Sequence, residues 1–586
     1  MTAITSSTIS VRAIEITRYV AQNGTGQGLS EDDPSGNLQE VLSLSNQVDR
    51  LTLYLAPGEY NLPLADSYDG RPKYGDILLF GGWENGTQDT DRKAIIRGEL
   101  NINGGLVSNI DFRHESVGDP YGPGRDGSLE VTNANLYYVK ATRLDCTIAG
   151  NVQYLIVDHV DANMMSVSTR RSVGRPVLYL DNSTFTGSKQ HGFFGSGVQI
   201  WANNCEFSDN DEGGMSLGGC TGSVFTNCKF MKNRKNGGIC VSDVSDNITV
   251  TFQRCVISSN ITSNPDQAAA VTPGTPILMK DCLIANNYST IKDKGIKPYL
   301  GAIELGRKAS RFHNCTFYKN HCVLFYWMYP ADQNVIDEPQ FMNCLFLENG
   351  LSYISVNGCK PWLGNCAADF SSGIPELDAE RGNIIVTKES AKVDIVANEE
   401  VFVNEGSPLI NAGDLYIGND LTGNNRFFLG GTDIGCEEYT SIWRPVEGTS
   451  NVKIGDAEYI SVSTQYDGKT YYGLAPLQNL HKDSGIVACK GLLYIGENAA
   501  NYKILDDRNA VTYLNVNDRN IALLQNLNSE IWNITSGYGY DNIRPTAVKE
   551  GNKWVLKEGR QSSAKTGTTK STARKSAARK TTSKRR

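Results

Sequence analysis

Two neighbouring stretches of the chain concentrate charged side chains that could bind a metal ion or move a proton. Asp209, Asp211 and Glu212 follow one copy of a short repeat, and Arg234 and Lys235 follow the next copy. Equivalent positions of stacked repeats lie side by side, so we expect the acids to face the bases. The acids could supply part of the roughly six to eight oxygens that Ca²⁺ requires. The same opposite charges predict ion pairs on a solvated turn, and we prefer that simpler interpretation.

Aromatic side chains form a second candidate site. Trp201, Tyr326 and Trp327 offer flat faces on which sugar rings could stack. Because side chains alternate along a strand, Tyr326 and Trp327 point to opposite faces, and one of those faces must be core. We therefore prefer packing in the core or at an interface as the role of this aromatic run, with sugar binding as the alternative.

Further carboxylates and histidines add weaker candidates. Glycoside hydrolysis needs two carboxylates about 5 to 9.5 Å apart, and Asp243 with Asp246, or Asp209 with Asp211, are candidate pairs. Acids on polar turns are common, so neither pair stands out. We interpret His313 as a packing or turn residue. No histidine has metal-ligand spacing to another, including those closest to the repeat, His191, His313 and His321.

A repeated sequence pattern must position these residues. The pattern Cys-x-Phe/Ile-x-x-Asn starts at Cys205, Cys228, Cys255, Cys282, Cys315 and Cys344 and ends at Asn210, Asn233, Asn260, Asn287, Asn320 and Asn349. The cysteines follow one another at 23 to 33 residues, which predicts stacked coils with insertions on the surface. Cys and Phe/Ile share a strand face and point into the core. Asn marks the turn, where it tolerates left-handed geometry and can stack into a ladder of amide hydrogen bonds.

The composition favours short strands joined by tight turns. The 586 residues include 58 Gly and 19 Pro, with 40% hydrophobic and 20% charged residues. The 14 cysteines include no Cys-x-x-Cys pair, so we expect buried free thiols and neither a zinc site nor a redox motif. We see no secretory signal peptide, and the longest apolar run, residues 323–329, is shorter than the roughly 20 residues that span a bilayer.

Signatures on both sides of the repeats resemble a known family. The first signature comprises Asn-Gly-Thr-Gly at 23–26, a predicted short helix within 37–45, and the segments 53–60, 79–83 and 96–98. The second comprises 405–414, 420–426 and 432–439. Together they resemble the right-handed parallel β-helix proteins of the pectate-lyase-like superfamily, over residues 14–440. The resemblance implies an all-β solenoid with a helix that plugs its first coil. Cys436 departs from the family, which more often has Ala there.

The resemblance also implies roles for charged residues. In enzymes of that superfamily acidic residues bind Ca²⁺ and an Arg or Lys abstracts a proton beside a sugar carboxylate, which would make Asp209, Asp211, Arg234 and Lys235 catalytic. In the second signature, we expect the charged residues either to form a buried network or ion site, or to fix the terminal turns; these residues are Asp414, Asp420, Arg426 and Asp433.

We divide the chain into a leader (1–13), an N-terminal cap with the first coils (14–100), the parallel β-helix (101–440), a small β-rich domain (441–548) and a flexible basic tail (549–586). Residues 561–586 hold nine Lys or Arg and no acid, so the net charge of −8 becomes −17 without them. The acidic body excludes nucleic-acid binding through a general positive field. The tail either binds nucleic acid or another polyanion, or is a solubilising or docking extension. Its candidate polyanion contacts are Arg574, Lys575, Arg579, Lys580, Lys584, Arg585 and Arg586.

Two functional hypotheses remain. The first is a structural or receptor-engaging protein at a virion or cell surface, such as a phage fibre or tailspike, which presents a rigid rod to a polysaccharide or cell-surface glycan. Its further partners would be other virion proteins or copies of itself. The alternative is a polysaccharide lyase or glycoside hydrolase that acts in a groove of the β-helix, with Ca²⁺ as the one cofactor considered. The fold does not decide between them.

Overall fold

The structure, a computed structural model, describes most of the chain. The described residues are 13–62, 72–113, 128–170, 172, 174–220, 222–242, 249–265, 267–290, 301–303, 310–320, 322–324, 339–353, 361–369, 377, 379–414, 416, 419–424, 426, 432–439, 443–447, 451–454, 457–466, 468–481, 486–487, 493–497, 502–505, 510–513, 546–550 and 553–557.

Three parallel sheets, which we call A, B and C, form the walls of a solenoid. Val177–Asp181 lies in sheet A, Thr184–Thr186 in sheet B and His191–Ser196 in sheet C, and the next coil then returns to sheet A at Gln199–Asn203. Each strand pairs in parallel with its equivalent one coil away, so that equivalent residues stack in columns at about 4.8 Å. The predicted parallel β-helix is confirmed.

The sheets have the following strands. Sheet A contains Glu15–Val20, Arg50–Leu55, Ile77–Gly81, Leu100–Ser108, Ser128–Tyr137, Tyr154–Asp158, Val177–Asp181, Gln199–Asn203, Val224–Thr226, Val250–Gln253, Ile277–Lys280, Arg311–His313, Gln340–Met342 and Trp362–Gly364. Sheet B contains Gly58–Asn61, Ala94–Arg97, Ile110–Arg113, Lys140–Ala149, Asp161–Arg170, Thr184–Thr186, Glu206–Ser208, Lys229–Met231, Val256–Ser258, Leu283–Ala285, Thr316–Tyr318, Leu345–Leu347, Ala367–Ala368 and Ile384–Ile385. Sheet C contains Lys73–Tyr74, His191–Ser196, Gly213–Gly218, Ile239–Val241 and Val271–Pro273, together with parts of the four long strands named above that bend between sheets.

The interior is built from the repeat as predicted. Phe207 stacks on Phe185 at 5.3 Å and on Phe230 at 4.9 Å between ring centroids. The motif cysteines are buried and free, among them Cys282 and Cys315, and burial raises the pKa of both thiols. These thiols therefore act as small apolar groups in the core.

The motif asparagines form the predicted amide ladder. Asn233 donates from Nδ2 to Oδ1 of Asn260 at 2.9 Å and to the Phe207 carbonyl at 2.8 Å, and its own Oδ1 accepts from Asn210. The same links join Asn260, Asn287, Asn320 and Asn349. The expected left-handed geometry of these asparagines was wrong, because the positive φ belongs to the residue before each one, such as Asp209 (55°). The asparagine side chain points into the solenoid to form the ladder, and the preceding residue adopts the left-handed conformation that turns the chain.

A short helix lies between the first two strands of sheet A. Leu38–Ser43 forms this helix, and Asn37 caps it by accepting a hydrogen bond from the Glu40 backbone N–H at 3.1 Å. Its buried residues Leu38, Val41 and Leu42 join the interior cluster of the first coils. The predicted helix is thus present at the entry of the solenoid.

Residues 386–439, which we call the strap, lie along the outer face of sheet B. The strap contains the helix Lys388–Ala391 and the antiparallel hairpin Val393–Val396 with Glu400–Val403. Its apolar side chains share one buried cluster with outward side chains of sheet B, among them Met231 and Leu345. The coils were expected to continue to 440, but in the described residues the last parallel coil pair is Ala367–Ala368 with Ile384–Ile385, and the strap then contacts earlier coils at Asp281 and Thr316.

The remaining elements are small. Parallel pairs join Ile261–Thr262 with Tyr288–Ser289 and Cys322–Leu324 with Leu351–Tyr353, and Trp83–Glu84 pairs with Thr87–Gln88 in a hairpin. The 3-10 turns are Leu44–Asn46, Ala379–Arg381 and Leu477–Asn479. After the strap, antiparallel strands are Arg444–Pro445, Val452–Ile454, Ala457–Tyr466, Lys469–Pro476, Leu480–His481, Ile486–Val487, Leu493–Glu497, Tyr502–Leu505, Ala510–Tyr513, Thr546–Glu550 and Lys553–Lys557.

The last strands differ from the predicted domain boundary. Lys553–Lys557 pairs with Thr546–Glu550, although residues 549–586 were expected to form a flexible tail. The apolar run at 554–556 supports a strand, and the basic composition begins only after it. In the part of the chain that the structure describes, no helix is long and apolar enough to cross a membrane.

Candidate functional site

The predicted charge cluster lies at the corner between sheets B and C. Arg234 lies 3.6 Å from Asp211, and Lys235 lies 2.7 Å from Glu212, each pair joining neighbouring coils. Asp209 occupies the exposed, left-handed corner position. The simpler interpretation, ion pairs between coils on a solvated turn, is confirmed. Two of the proposed catalytic residues, the cations, are therefore held by neighbouring carboxylates.

Calcium binding at this corner gains no support from the geometry. Among the described residues, no group of three or more His, Cys, Asp or Glu side chains is arranged to hold a metal ion. Glu212 is engaged by Lys235 and Asp211 by Arg234. The assignment of Asp209, Asp211 and Glu212 to Ca²⁺ stays a prediction.

His191 packs beside the same corner. Its Nδ1 lies 3.9 Å from a Glu212 carboxylate oxygen, and its ring lies 4.8 Å from the Phe194 ring. Burial lowers the pKa of His191, against the opposing effect of Glu212. A neutral imidazole that covers an aromatic ring is a packing residue here.

Trp201 lies on the outer face of sheet A beside its register partner Tyr179, and Tyr154 lies diagonally on the coil before, because Tyr179 pairs with Ile156. Its ring centroid is 5.5 Å from that of Tyr179, and Tyr179 is 6.1 Å from Tyr154. We call these three residues the aromatic strip. Tyr154 is 54% exposed and the other two are partly exposed. Perpendicular packing leaves ring faces and edges on the surface, which suits contact with the apolar faces of sugar rings.

Carboxylates run beside the aromatic strip. Asp158 and Asp181 are in-register partners on neighbouring strands, and both are partly exposed. Asp158 accepts hydrogen bonds from Asn182 at 3.0 Å and pairs with His159 at 2.8 Å. Burial raises the pKa of Tyr137, and the nearby Asp158 adds to that rise. The end of sheet A that carries the strip is therefore acidic and aromatic.

Further along the same face the charge reverses. Lys280 is the register partner of His313, and Leu278 is that of Arg311. Burial lowers the pKa of His313 to about 4, and the charges of Lys280 and Arg311 add to this effect. We call Lys280, Arg311 and His313 the basic patch. This patch was not predicted from the sequence. Lys280 lies 31 and 33 positions before Arg311 and His313, and the three come together only because Lys280 and His313 are register partners on neighbouring coils.

The repeat itself contains a signal that identifies the outward column from Trp201 to Arg311 on sheet A. Each motif cysteine is preceded, four positions earlier, by a residue of one outward column: Trp201, Val224, Thr251, Leu278, Arg311 and Gln340. Counting back from the cysteines therefore places Trp201 and Arg311 in one column from the repeat alone.

Several predicted residues lie outside the described residues. These are Tyr326 and Trp327 of the aromatic candidates, Asp243 and Asp246 of the carboxylate pairs, His321, and the tail cations Arg574, Lys575, Arg579, Lys580, Lys584, Arg585 and Arg586.

The second signature lies in the strap, where Asp433 fixes turns and Arg426 belongs to a buried charge network. The Asp433 carboxylate accepts from the backbone N–H groups of Asn411 and Tyr439, both at 2.7 Å, and so fixes two turns. Arg426 is fully buried and donates to Asp281, in the turn between sheets A and B, at 2.8 Å and to Glu438 at 2.9 Å. The buried network ties the strap to the solenoid. Burial works against the charge of Arg426, but these carboxylates raise its pKa.

The repeat region matches a known family model. Residues 134–303 match the model described as the right-handed β-helix region. The coils of this chain therefore form a right-handed parallel β-helix. Among solved structures, this β-helix is similar to "The complex structure of XylC with xylose", with 10% identity, coverage of 66% of this chain and 88% of that one, and a TM-score of 0.31. It is also similar to "Geobacillus virus E2 - ORF18", with 9% identity, coverage of 84% of each chain and a TM-score of 0.18. Both likenesses are too remote to carry an argument about function. The comparison with curated proteins gave no match.

Proposed function

We propose that this β-helix is a structural, glycan-engaging surface protein whose contact face is the outer face of sheet A. The observation that carries the proposal is the aromatic strip, in which the rings of Tyr154, Tyr179 and Trp201 pack edge to face on three successive coils and are at least partly exposed. Aromatic rings with an apolar face and a polar edge are well suited to sugars. A rigid solenoid holds them at fixed spacing, so that little conformational entropy is lost on binding.

The contrast with sheet B supports this choice of face. The outward apolar residues of sheet B are covered by the strap, so they serve stability. In the aromatic strip, by contrast, Tyr154 is more than half exposed and Tyr179 and Trp201 are partly exposed. A phage virion component such as a fibre or tailspike, associated with a virion or cell surface, is the finer form of the proposal. Other virion proteins, or further copies of this chain, would be its partners.

The alternative, a polysaccharide lyase or glycoside hydrolase, depends on Asp209, Asp211, Arg234 and Lys235. Both cations are engaged in ion pairs, which disfavours either of them as a free base. We therefore put no enzymatic proposal forward at that corner. Binding of a polyanion by the basic tail is a separate proposal that rests on the sequence alone.

The strip can be tested by titrating neutral oligosaccharides into the protein in a calorimeter. Trp201→Ala should weaken binding about tenfold, equivalent to about 1.4 kcal/mol, because it removes the most extended ring face. Trp362→Ala is a matched control, since Trp362 lies in the same outward column but carries Arg381 against its ring at 5.8 Å. Binding that is unchanged in Trp201→Ala would overturn the proposed site. For the finer form, absence of the protein from purified particles would exclude a virion component.

A further inference from the structure

The outer face of sheet A carries opposite charges at the two ends of one track. We propose that this track binds a glycan in a single direction, with an uncharged sugar on the aromatic strip and an anionic group, a carboxylate or an ester of sulfate or phosphate, on Lys280, Arg311 and His313. This inference rests on the proposed glycan-binding function and specifies its ligand class: a glycan with widely spaced anionic groups, and not a polymer charged on every sugar.

Register places the two ends in the same columns. Trp201 pairs with Val224, then Thr251, Leu278 and Arg311 follow on successive strands. Four steps of about 4.8 Å separate Trp201 from Arg311, which gives about 19 Å along the rod. The side chains between them are partly exposed and uncharged. They form a continuous surface on which an extended chain of sugars can lie.

The basic patch has no charge partner within the described structure. Lys280 and Arg311 take part in no ion pair there, unlike the cations Arg234, Lys235 and Lys229 on other faces. The cationic neighbours of His313 disfavour its protonated form, and the causes of that shift include no acid. The ring of Tyr416 also faces His313, at 6.3 Å. Like charges placed together without a counter-charge are costly unless an anion joins them.

The carboxylates beside the aromatic strip disfavour a polymer that carries a negative charge on every sugar. Asp158 and Asp181 stand directly opposite each other beside the aromatic strip, where Asn182 and His159 contact Asp158. A sugar carboxylate placed on Tyr179 would approach these acids and be repelled. The face therefore accepts negative charge at the basic patch and resists it at the aromatic strip, which sets the direction in which a polar chain binds.

The decisive measurement compares matched ligands by calorimetry. The ligands are a heteropolysaccharide with a single glucuronate in each repeating unit, its carboxyl-reduced form, a sulfated form of the reduced polymer, and polygalacturonate. The glucuronate or the sulfated polymer should bind about tenfold more tightly than the reduced form, and this advantage should shrink as salt rises. Polygalacturonate should bind more weakly than the better of these anionic ligands.

Two double variants separate the ends of the track. Lys280→Gln with Arg311→Gln should abolish the advantage of the charged ligand and leave binding of the reduced form intact, which also shows that the variant is folded. Asp158→Asn with Asp181→Asn should improve binding of polygalacturonate. Lys189→Gln with Arg234→Gln removes equal charge from the opposite corner and should change neither result. In addition, ligand binding should raise the pKa of His313, followed by its NMR titration, because a bound anion offsets Lys280 and Arg311.

The outcomes are distinguishable. If the charged and reduced polymers bind equally and Trp201→Ala weakens both, the proposed function stands and this inference is wrong. If no polymer binds to the intact protein, the proposed function fails as well. The control variant, Lys189→Gln with Arg234→Gln, could lose the tighter binding of the charged polymer as fully as Lys280→Gln with Arg311→Gln. That result would mean that the polymer responds to the total charge of the protein and that the basic patch is not a binding site.

Discussion

Leu278 and Leu283 lie in the same coil and both point away from the solenoid, but they have opposite surroundings. Leu283, on sheet B, is fully buried under the strap, whereas Leu278, on sheet A, remains partly exposed between Thr251 and Arg311. The same residue type thus stabilises the fold on one face and lines an open track on the other. An outward apolar side chain of a solenoid serves stability only where the chain itself supplies a cover.

The largest loss of stability is expected at the buried ion pairs between the strap and the solenoid. Arg426→Met should lower the free energy of unfolding by about 3–5 kcal/mol, because it leaves the buried Asp281 and Glu438 carboxylates without their partner. Urea unfolding measures the change. Arg234→Met, which removes an exposed ion pair, should cost less than about 1 kcal/mol. Equal costs would mean that the strap adds little to stability.

The two leucines provide the most direct test. Leu283→Ala should cost about 2–5 kcal/mol, since it opens a cavity between sheet B and the strap, whereas Leu278→Ala should cost less than about 1 kcal/mol. Both variants remove the same atoms from the same coil. A similar loss of unfolding free energy in the two would contradict the assignment of one face as covered and the other as open.

The strap should respond to rising pH. Burial raises the pKa of Asp433 to about 6 from an ordinary value of 3.8, so the folded state holds this proton more tightly than the unfolded state. Its contribution is complete below about pH 4 and is lost as the pH rises through about 6, a change on the order of 2–3 kcal/mol. Asp433→Asn should make this slope shallower but not abolish it, because burial also raises the pKa of Glu437 and Glu438, whereas Asp394→Asn, on an exposed strap position, should leave it unchanged.

Sheet A should respond in the opposite direction and more weakly. The pKa of His313 is lowered to about 4 from 6.5, so the unfolded state binds the proton more readily. The contribution of neutral His313 to the free energy of unfolding is complete above about pH 6.5 and is lost as the pH falls towards 4. This loss is on the order of 1–2 kcal/mol after allowance for the partial exposure of the side chain. His313→Gln should flatten that part of the profile. An unchanged profile would show that burial, together with the charges of Lys280 and Arg311, does not lower the pKa of the imidazole.

Much of the solenoid was predictable because its repeat carries local physical chemistry. Alternation assigned Cys205 and Phe207 to the interior, and the recurring Asn210 predicted the amide ladder. The opposite charges of Glu212 and Lys235 predicted their ion pair. Each of these conclusions needs only neighbouring coils, whose contacts recur at every repeat. The one local error, left-handed geometry at the asparagine itself, arose because a ladder of buried amides leaves the bend to the preceding residue.

Tertiary structure alone decided what covers each face. Arg426 and Asp281 are 145 residues apart, and nothing in the period of the repeat brings them together. One outward column of sheet B changes from Lys229 to the apolar Leu283 and Leu345. The sequence therefore indicates that another segment covers these coils, but it does not show which segment. The repeat does place Trp201 and Arg311 in one column, but only the structure shows that this column stays partly exposed along its length. The sequence determines the coil, because its contacts are local and repeated; the strap and the open track depend on long-range packing that occurs once.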